Sequence, residues 1–136
     1  MLKLSDLIGL KITDAFFNEI IRLRGVQNGT EKEYQLIPEG DCCSESWIEH
    51  YELPSVGETI VNIIELEISN EEAITLHCLE ENESNEIVDE EGREHECLQF
   101  YFYCILTDKG NYKIEMRNSS NGYYGGSLEV QEITND

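Results

Sequence analysis

A chain of 136 residues is the size of one domain and long enough to bury its own core, and 40% hydrophobic with 28% charged residues is a globular rather than a disordered composition. The formal net charge of −20 argues against direct binding of nucleic acid, anionic membrane or free nucleotides, and favours basic surfaces and cations. The charge is uneven: residues 31–100 hold 21 acids against Lys32 and Arg93, whereas residues 1–30 hold three acids against four bases. No uncharged run approaches the eighteen or so residues of a membrane span. The opening "MLKLSDLIGLKI" carries charges inside its apolar stretch and lacks a small-residue cleavage site, so a soluble cytoplasmic protein without signal peptide is expected. Five cysteines, two of them adjacent (Cys42 and Cys43), make a poor disulfide framework and are expected to be reduced thiols.

In chain order, Ser5 is positioned to cap a short helical turn, "SDLIG", that stops at Gly9. "AFFNEIIRLR" fits either a helix or a strand by periodicity. "VQNGTEKEYQLI" decides for a strand, since Asn28-Gly29 between two apolar runs is a strong hairpin signal. Pro38-Glu39-Gly40 closes the partner strand as a turn. "SWIEHYEL" reads as a short strand or a single helical turn, and "ETIVNIIELEIS" as a strand with Ile60, Ile64, Leu66 and Ile68 on one face. In "CLQFYFYCILT" the residues Leu98, Phe100, Phe102, Cys104 and Leu106 form an apolar face, and "YKIEMR" alternates Tyr112, Ile114 and Met116 with Lys113, Glu115 and Arg117. A last strand, "SLEVQEI", follows the turn "NSSNGYYGG". Between the strands lies one long connection, residues 69–96. There "AITLHCL" offers an extra strand, and residues 80–96 are expected to form a mobile, solvated acidic loop.

The reading is therefore a single domain over residues 1–136, α+β but mostly β, an antiparallel meander with one short N-terminal helical turn and a long acidic loop. Its expected core is Phe16 or Phe17, Leu36, Ile48, Ile60, Ile64, Leu66, Leu98, Phe100, Phe102, Leu106, Ile114, Met116, Leu128 and Val130.

Two segments stand out, "GDCCSESWIEH" and "NSSNGYYGGSLEV". On Asp41, Cys42, Cys43, Ser44, Ile48 and Glu49, with Ser120, Asn121, Gly122, Tyr123 and Tyr124, the chain resembles a family of small uncharacterised bacteriophage and bacterial proteins. The resemblance spans about Leu7 to Val130, and the acidic segment 69–96 is longer than that family usually carries. It implies ancestry and a phage context, and brings no established activity.

Chemistry-bearing constellations are thin. Zinc would draw on Cys42, Cys43 and His50, with His77, Cys78, His95 or Cys97, but adjacent strand residues point to opposite faces and the spacing lacks paired ligands. Redox chemistry is disfavoured because Asp41, Glu45 and Glu49 surround the cysteine pair and oppose a thiolate. A calcium loop over Glu80, Asn82, Ser84, Glu86 and Glu91 has Asn85 where a glycine is needed. No hydrolase motif is present, and no enzyme activity, cofactor or metal is expected. The leading expectation is an acidic protein that mimics nucleic acid and inhibits a basic, nucleic-acid-handling host protein, a phage counter-defence role, with Glu45, Glu49, Glu65 and Glu67 facing the partner. The alternatives are a protein that sequesters a small nucleotide signal through Asn121, Tyr123, Tyr124 and Arg117, and a metal-dependent structural protein. Self-association into a homo-oligomer is left open.

Overall fold

A computed structural model describes residues 2–41, 44–122 and 125–134. After a 3₁₀ turn at Leu4–Leu7 come strands β1 (Lys11–Asn18), β2 (Ile20–Gln27), β3 (Thr30–Gly40), β4 (Glu45–Tyr51) and β5 (Ile60–Leu66). Helix α1 (Asn70–Leu76) leads to three two-residue strands, β6 (Glu80–Glu81), β7 (Ile87–Val88) and β8 (Glu94–His95). Long strands β9 (Cys97–Thr107), β10 (Asn111–Ser120) and β11 (Gly126–Ile133) complete the chain. All pairing between these strands is antiparallel, so the α+β, mostly β fold class expected from the sequence stands. No helix among the described residues is long and apolar enough to cross a membrane.

The meander holds for β1-β2-β3 and for β9-β10, and then the chain departs from it. One sheet has the order β1-β2-β3-β11 and a second β4-β10-β9-β5. Their inner faces share one core, with Ile12, Ile21, Leu23, Leu36, Leu128 and Val130 from the first sheet against Ile48, Ile63, Tyr103, Ile105, Ile114 and Met116 from the second. The β2–β3 hairpin turns on Asn28 and Gly29, both at positive φ (52° and 77°), the conformation that gives Asn-Gly its hairpin preference. The N-terminal turn begins on Lys3, whose backbone amide donates to Asp6 Oδ2 at 2.6 Å, so Lys3 rather than Ser5 takes the capping position.

Strand β9 carries two buried faces. Tyr101, Tyr103 and Ile105 face the first sheet, and Leu98, Phe100 and Phe102 face the other way into a second cluster with Ala73 and Ile87. The expected apolar face is therefore buried in part, but the larger core lies on the face that reads as amphipathic, where Tyr103 is 4% exposed. On β5 the pairing slips between Ile60 and Asn62, so Val61 is an extra residue and the inward set becomes Ile60 and Ile63. A bulge of this kind exchanges faces beyond it. It leaves Ile64, an expected core residue, 36% exposed, while Leu66, Phe102 and Leu106 are half-buried. Phe17 is half-buried against the core and stacks on Tyr51, whereas Phe16 lies between Arg22 and Arg24.

Residues 69–96 are the main correction. The first four residues of "AITLHCL" belong to helix α1, because Ser69 Oγ accepts the Glu72 amide as an N-cap and Glu71 and Glu72 sit in the first turn, where acids suit the helix dipole. Residues 80–96, expected as a solvated loop, form the three-stranded sheet β6-β7-β8. Asn82 Oδ1 accepts the amides of Ser84 and Glu86, which makes the calcium-loop positions a side-chain-capped hairpin turn. Together α1 and this small sheet cover the outer face of the second main sheet.

Glu58 ties the β4–β5 connection to the β9–β10 hairpin. It is buried and accepts Thr107 Oγ1 at 2.6 Å, Tyr112 Oη at 2.6 Å and the Ser55 amide at 2.8 Å. The hydroxyls of Thr107 and Tyr112 outweigh burial and hold its carboxyl down at about 2. A depressed carboxyl contributes stability that is complete above its ordinary value near 4.5 and disappears as pH falls towards 2. Thermal unfolding followed from pH 5 to pH 2 is expected to show a flatter acid limb in Glu58→Gln than in the wild type, and an unchanged slope would contradict this role. By burial, Ile105→Ala is expected to cost about 2–5 kcal/mol in urea unfolding. Ile64→Ala is expected to cost under about 1 kcal/mol, because the bulge has turned it outward.

A buried arginine beneath an acidic cover

Cross-strand partners share a face, and in the second sheet one outward-facing row is Trp47, Arg117 and Phe100. Arg117 is 0% exposed. Its guanidinium lies over the Phe100 ring, 5.0 Å from the centroid. An arginine so placed needs anionic partners. Glu90, in the β7–β8 turn, takes Nη1 and Nη2 in a bidentate pair at 2.6 and 2.7 Å. Glu115 Oε2 accepts Nε at 2.7 Å, and Glu49 Oε1 stands 3.3 Å from Nη1. Burial pushes the guanidinium down, but Glu90 and Glu115 overcome it and hold Arg117 charged beyond its ordinary range. In return Arg117 holds the Glu90 carboxyl at about 2 against burial.

Two histidines border this group. His77, the C-terminal cap residue of α1, has Nε2 2.5 Å from Glu115 Oε1 and Nδ1 3.7 Å from Glu90 Oε2. His50, on β4, has Nε2 3.9 Å from Glu115 Oε2, and its ring stacks on His77 with centroids 5.6 Å apart. A separate array lies alongside. His95 Nε2 donates to Asp89 Oδ2 at 2.8 Å, and His95 Nδ1 is 2.7 Å from Ser119 Oγ. Its composition is that of a hydrolase triad, but Asp89 and His95 are buried and Asp89 Oδ1 also accepts the amides of Glu91 and Arg93. Burial pushes the Asp89 carboxyl up, and the bonds from His95 and the two amides prevail, leaving it at about 2. The array is a clasp that ties the β7–β8 turn to β10. Trp47 lies between His95 and Arg93, and its buried Nε1 has no hydrogen-bond partner among the described residues.

Residues singled out from sequence are scattered. Glu45 is exposed at the start of β4, and Glu65 and Glu67 are exposed on and after β5. Strands β4 and β5 are opposite edges of the sheet, about 14 Å apart at the usual strand spacing. Glu45 pairs through Ser119 with the outer face and Glu65 pairs with Tyr103 of the inner face, so the four glutamates make no common patch. Glu49 is half-buried beside Arg117. In the nucleotide set, Arg117 is buried among carboxylates, Asn121 is exposed, and Tyr123 and Tyr124 lie outside the described residues, as do Cys42 and Cys43. Of the zinc candidates, His50 and His77 come together, while both nitrogens of His95 are engaged by Asp89 and Ser119. Glu90 and Glu115 had no sequence signal beyond charge. Among the described cysteines, Cys78, Cys97 and Cys104 are free thiols.

Residues 6–130 match the model of DUF7448, a domain of unknown function. The chain belongs to that family. The matched span runs from the N-terminal turn to β11, so both sheets and the acidic cover are parts of the DUF7448 domain. An uncharacterized protein of Acanthamoeba polyphaga mimivirus is 34% identical over 110 residues, 74% of this chain and 70% of that protein. No solved structure matches the chain. The expected kinship with uncharacterised viral proteins agrees with these matches at that level.

Removing Arg117 strands three carboxylates under the cover. Arg117→Met in this DUF7448 domain is expected to cost about 3–5 kcal/mol in urea unfolding at pH 7. A loss below about 1 kcal/mol would mean that the guanidinium does not hold the cover.

Proposed function

We propose that this DUF7448 domain is a non-enzymatic acidic binding protein that occupies the nucleic-acid-binding groove of a basic partner, as an inhibitor of a nucleic-acid-handling host protein would. The supporting observation is the cover. Residues 69–96 carry eleven acids against Arg93 alone, and they form a folded layer on the second sheet. Glu71 and Glu72 on α1, Glu80 and Glu81 on β6, and Glu83, Glu91, Glu94 and Glu96 in the turns and strands around them are all exposed. Carboxylates held on a folded layer meet a cationic groove with less ordering cost than the same charges on a floppy chain. They also steer association and release the counter-ions of the partner.

The charge distribution supports the same orientation. Lys11, Arg22, Arg24 and Lys32, four of the nine bases, belong to the first sheet rather than to the cover. The partner-facing residues therefore shift from Glu45, Glu49, Glu65 and Glu67 to the cover glutamates. The mimivirus relative adds a viral setting, in which inhibition of a host protein has a use.

The test is capture from a lysate of the organism that carries the gene, at low salt, eluted with a salt gradient and read by mass spectrometry. One stoichiometric basic protein is expected, displaced by double-stranded DNA. Its capture is expected to fall at least tenfold with the quadruple variant Glu71→Gln, Glu72→Gln, Glu80→Gln, Glu81→Gln, whose melting temperature stays close to that of the wild type. Scattered substoichiometric proteins, or capture indifferent to the variant, would reduce the charge to a solubility device.

A further inference from the structure

We propose that His50, His77 and Glu90 form a surface site for a divalent transition-metal ion of the zinc class, with Glu115 as the group that orients His77. This rests on side-chain geometry and is independent of the basic-partner reading. One ligand atom from each of the three residues lies within 4.8 Å of the other two. Atoms bound tetrahedrally to zinc at 2.0–2.1 Å stand about 3.4 Å apart. The 3.7 Å between His77 Nδ1 and Glu90 Oε2 is already close to that separation. His50 is the remaining ligand; its side chain is 59% exposed and its ring stacks on that of His77.

The surrounding groups have the roles that metal ligands need. A carboxylate accepts only, so Glu115 Oε1 accepts the hydrogen bond of His77 Nε2–H, which in the neutral ring leaves the Nδ1 lone pair facing Glu90. A carboxylate on the far nitrogen is the usual way a metal-binding imidazole is fixed in tautomer and direction. Glu90 keeps acceptor capacity while bound to Arg117, because each carboxylate oxygen offers two lone pairs. Charge points the same way. Three carboxylates, Glu49, Glu90 and Glu115, surround one guanidinium, an excess of acid that favours a further cation there. Two imidazoles with a carboxylate suit zinc and its neighbours over magnesium or calcium, which prefer all-oxygen sites. Such an ion would join β4, the end of α1 and the β7–β8 turn, fastening the cover to the edge of the sheet.

The experiment uses the full chain stripped with a chelator, titrated with zinc chloride by calorimetry and with cobalt chloride by visible absorption. One ion per chain is expected, with a higher melting temperature in zinc than in magnesium or calcium. His50→Ala removes an exposed ring and is expected to fold as the wild type does, to bind at least tenfold more weakly and to lose the melting shift. Glu90→Gln is expected to weaken binding as well. Wild-type affinity in His50→Ala would overturn the site. So would absence of binding heat, equal stabilisation by magnesium, or thiolate-to-cobalt charge-transfer bands, which would put the metal on cysteines.

Discussion

A fully buried guanidinium cannot be left without anions, and Arg117 has none on its own strand except Glu115. The bidentate partner, Glu90, comes from a turn 27 residues earlier in the chain. That demand is what makes residues 69–96 a structural layer. The helix, the small sheet and their acids follow from it. The cover contributes only Ala73 and Ile87 to the fully buried second cluster, with Ile68, Ile74 and Leu79 packed around them. Its remaining hold is polar: Glu90 on Arg117, His77 on Glu115, His95 on Ser119, and Asn70 Oδ1 on the Phe100 amide. The last of these sits where β5 has ended, since β5 pairs with β9 only as far as Phe102, and the helix side chain takes up the freed amide.

A charged lock of this kind has a different energetic character from an apolar one. Burying an ion pair adds little net stability against well-packed hydrocarbon, but breaking it leaves a stranded charge. The lock therefore specifies where the cover sits more than it adds to how tightly it is held. Specificity of placement is what a layer of mutually repelling carboxylates requires. The exposed glutamates of α1 and of the small sheet would drive it off the protein if only dispersion and a few methyl groups kept it there.

Much of the fold was legible. Asn28-Gly29 announces its hairpin, period-two alternation marks β9 and β10, and together these signals point to the mostly β class. The errors have three physical sources. A bulge cannot be seen in periodicity, and the one at Val61 moved Ile64 out and Ile63 in. Burial on both faces also defeats a one-sided reading: Leu98, Phe100 and Phe102 read as the apolar face, yet Tyr103 and Ile105 on the other face belong to the larger core. The cover was missed for a third reason, that acid-rich sequence normally reports solvation. Neither Glu90 nor the burial of Arg117 is visible without knowing that the two meet across strands.

The two segments that stand out in the sequence meet through hydrogen bonds of their described residues. The Asp41 amide donates to Gly125 O at 2.9 Å, the Gly125 amide donates to Asp41 Oδ2 at 3.2 Å, and Ser44 Oγ also reaches Gly125 O. Asn118 Nδ2 adds bonds to Ser44 and Ser46 Oγ. At Gly126 a Cβ would sit 2.3 Å from Ser46 Oγ and 2.9 Å from Glu39 O, so the approach of the two segments requires glycine there. This corner lies where the chain leaves β3 of one sheet and enters β4 of the other, beside Gly126, where β11 begins and pairs with β3. The motif is the hinge point of the two-sheet architecture, and the buried arginine that organises the cover lies one residue before Asn118 on the same strand. Strand β10 thus connects the corner that joins the sheets to the charge that anchors the acidic layer.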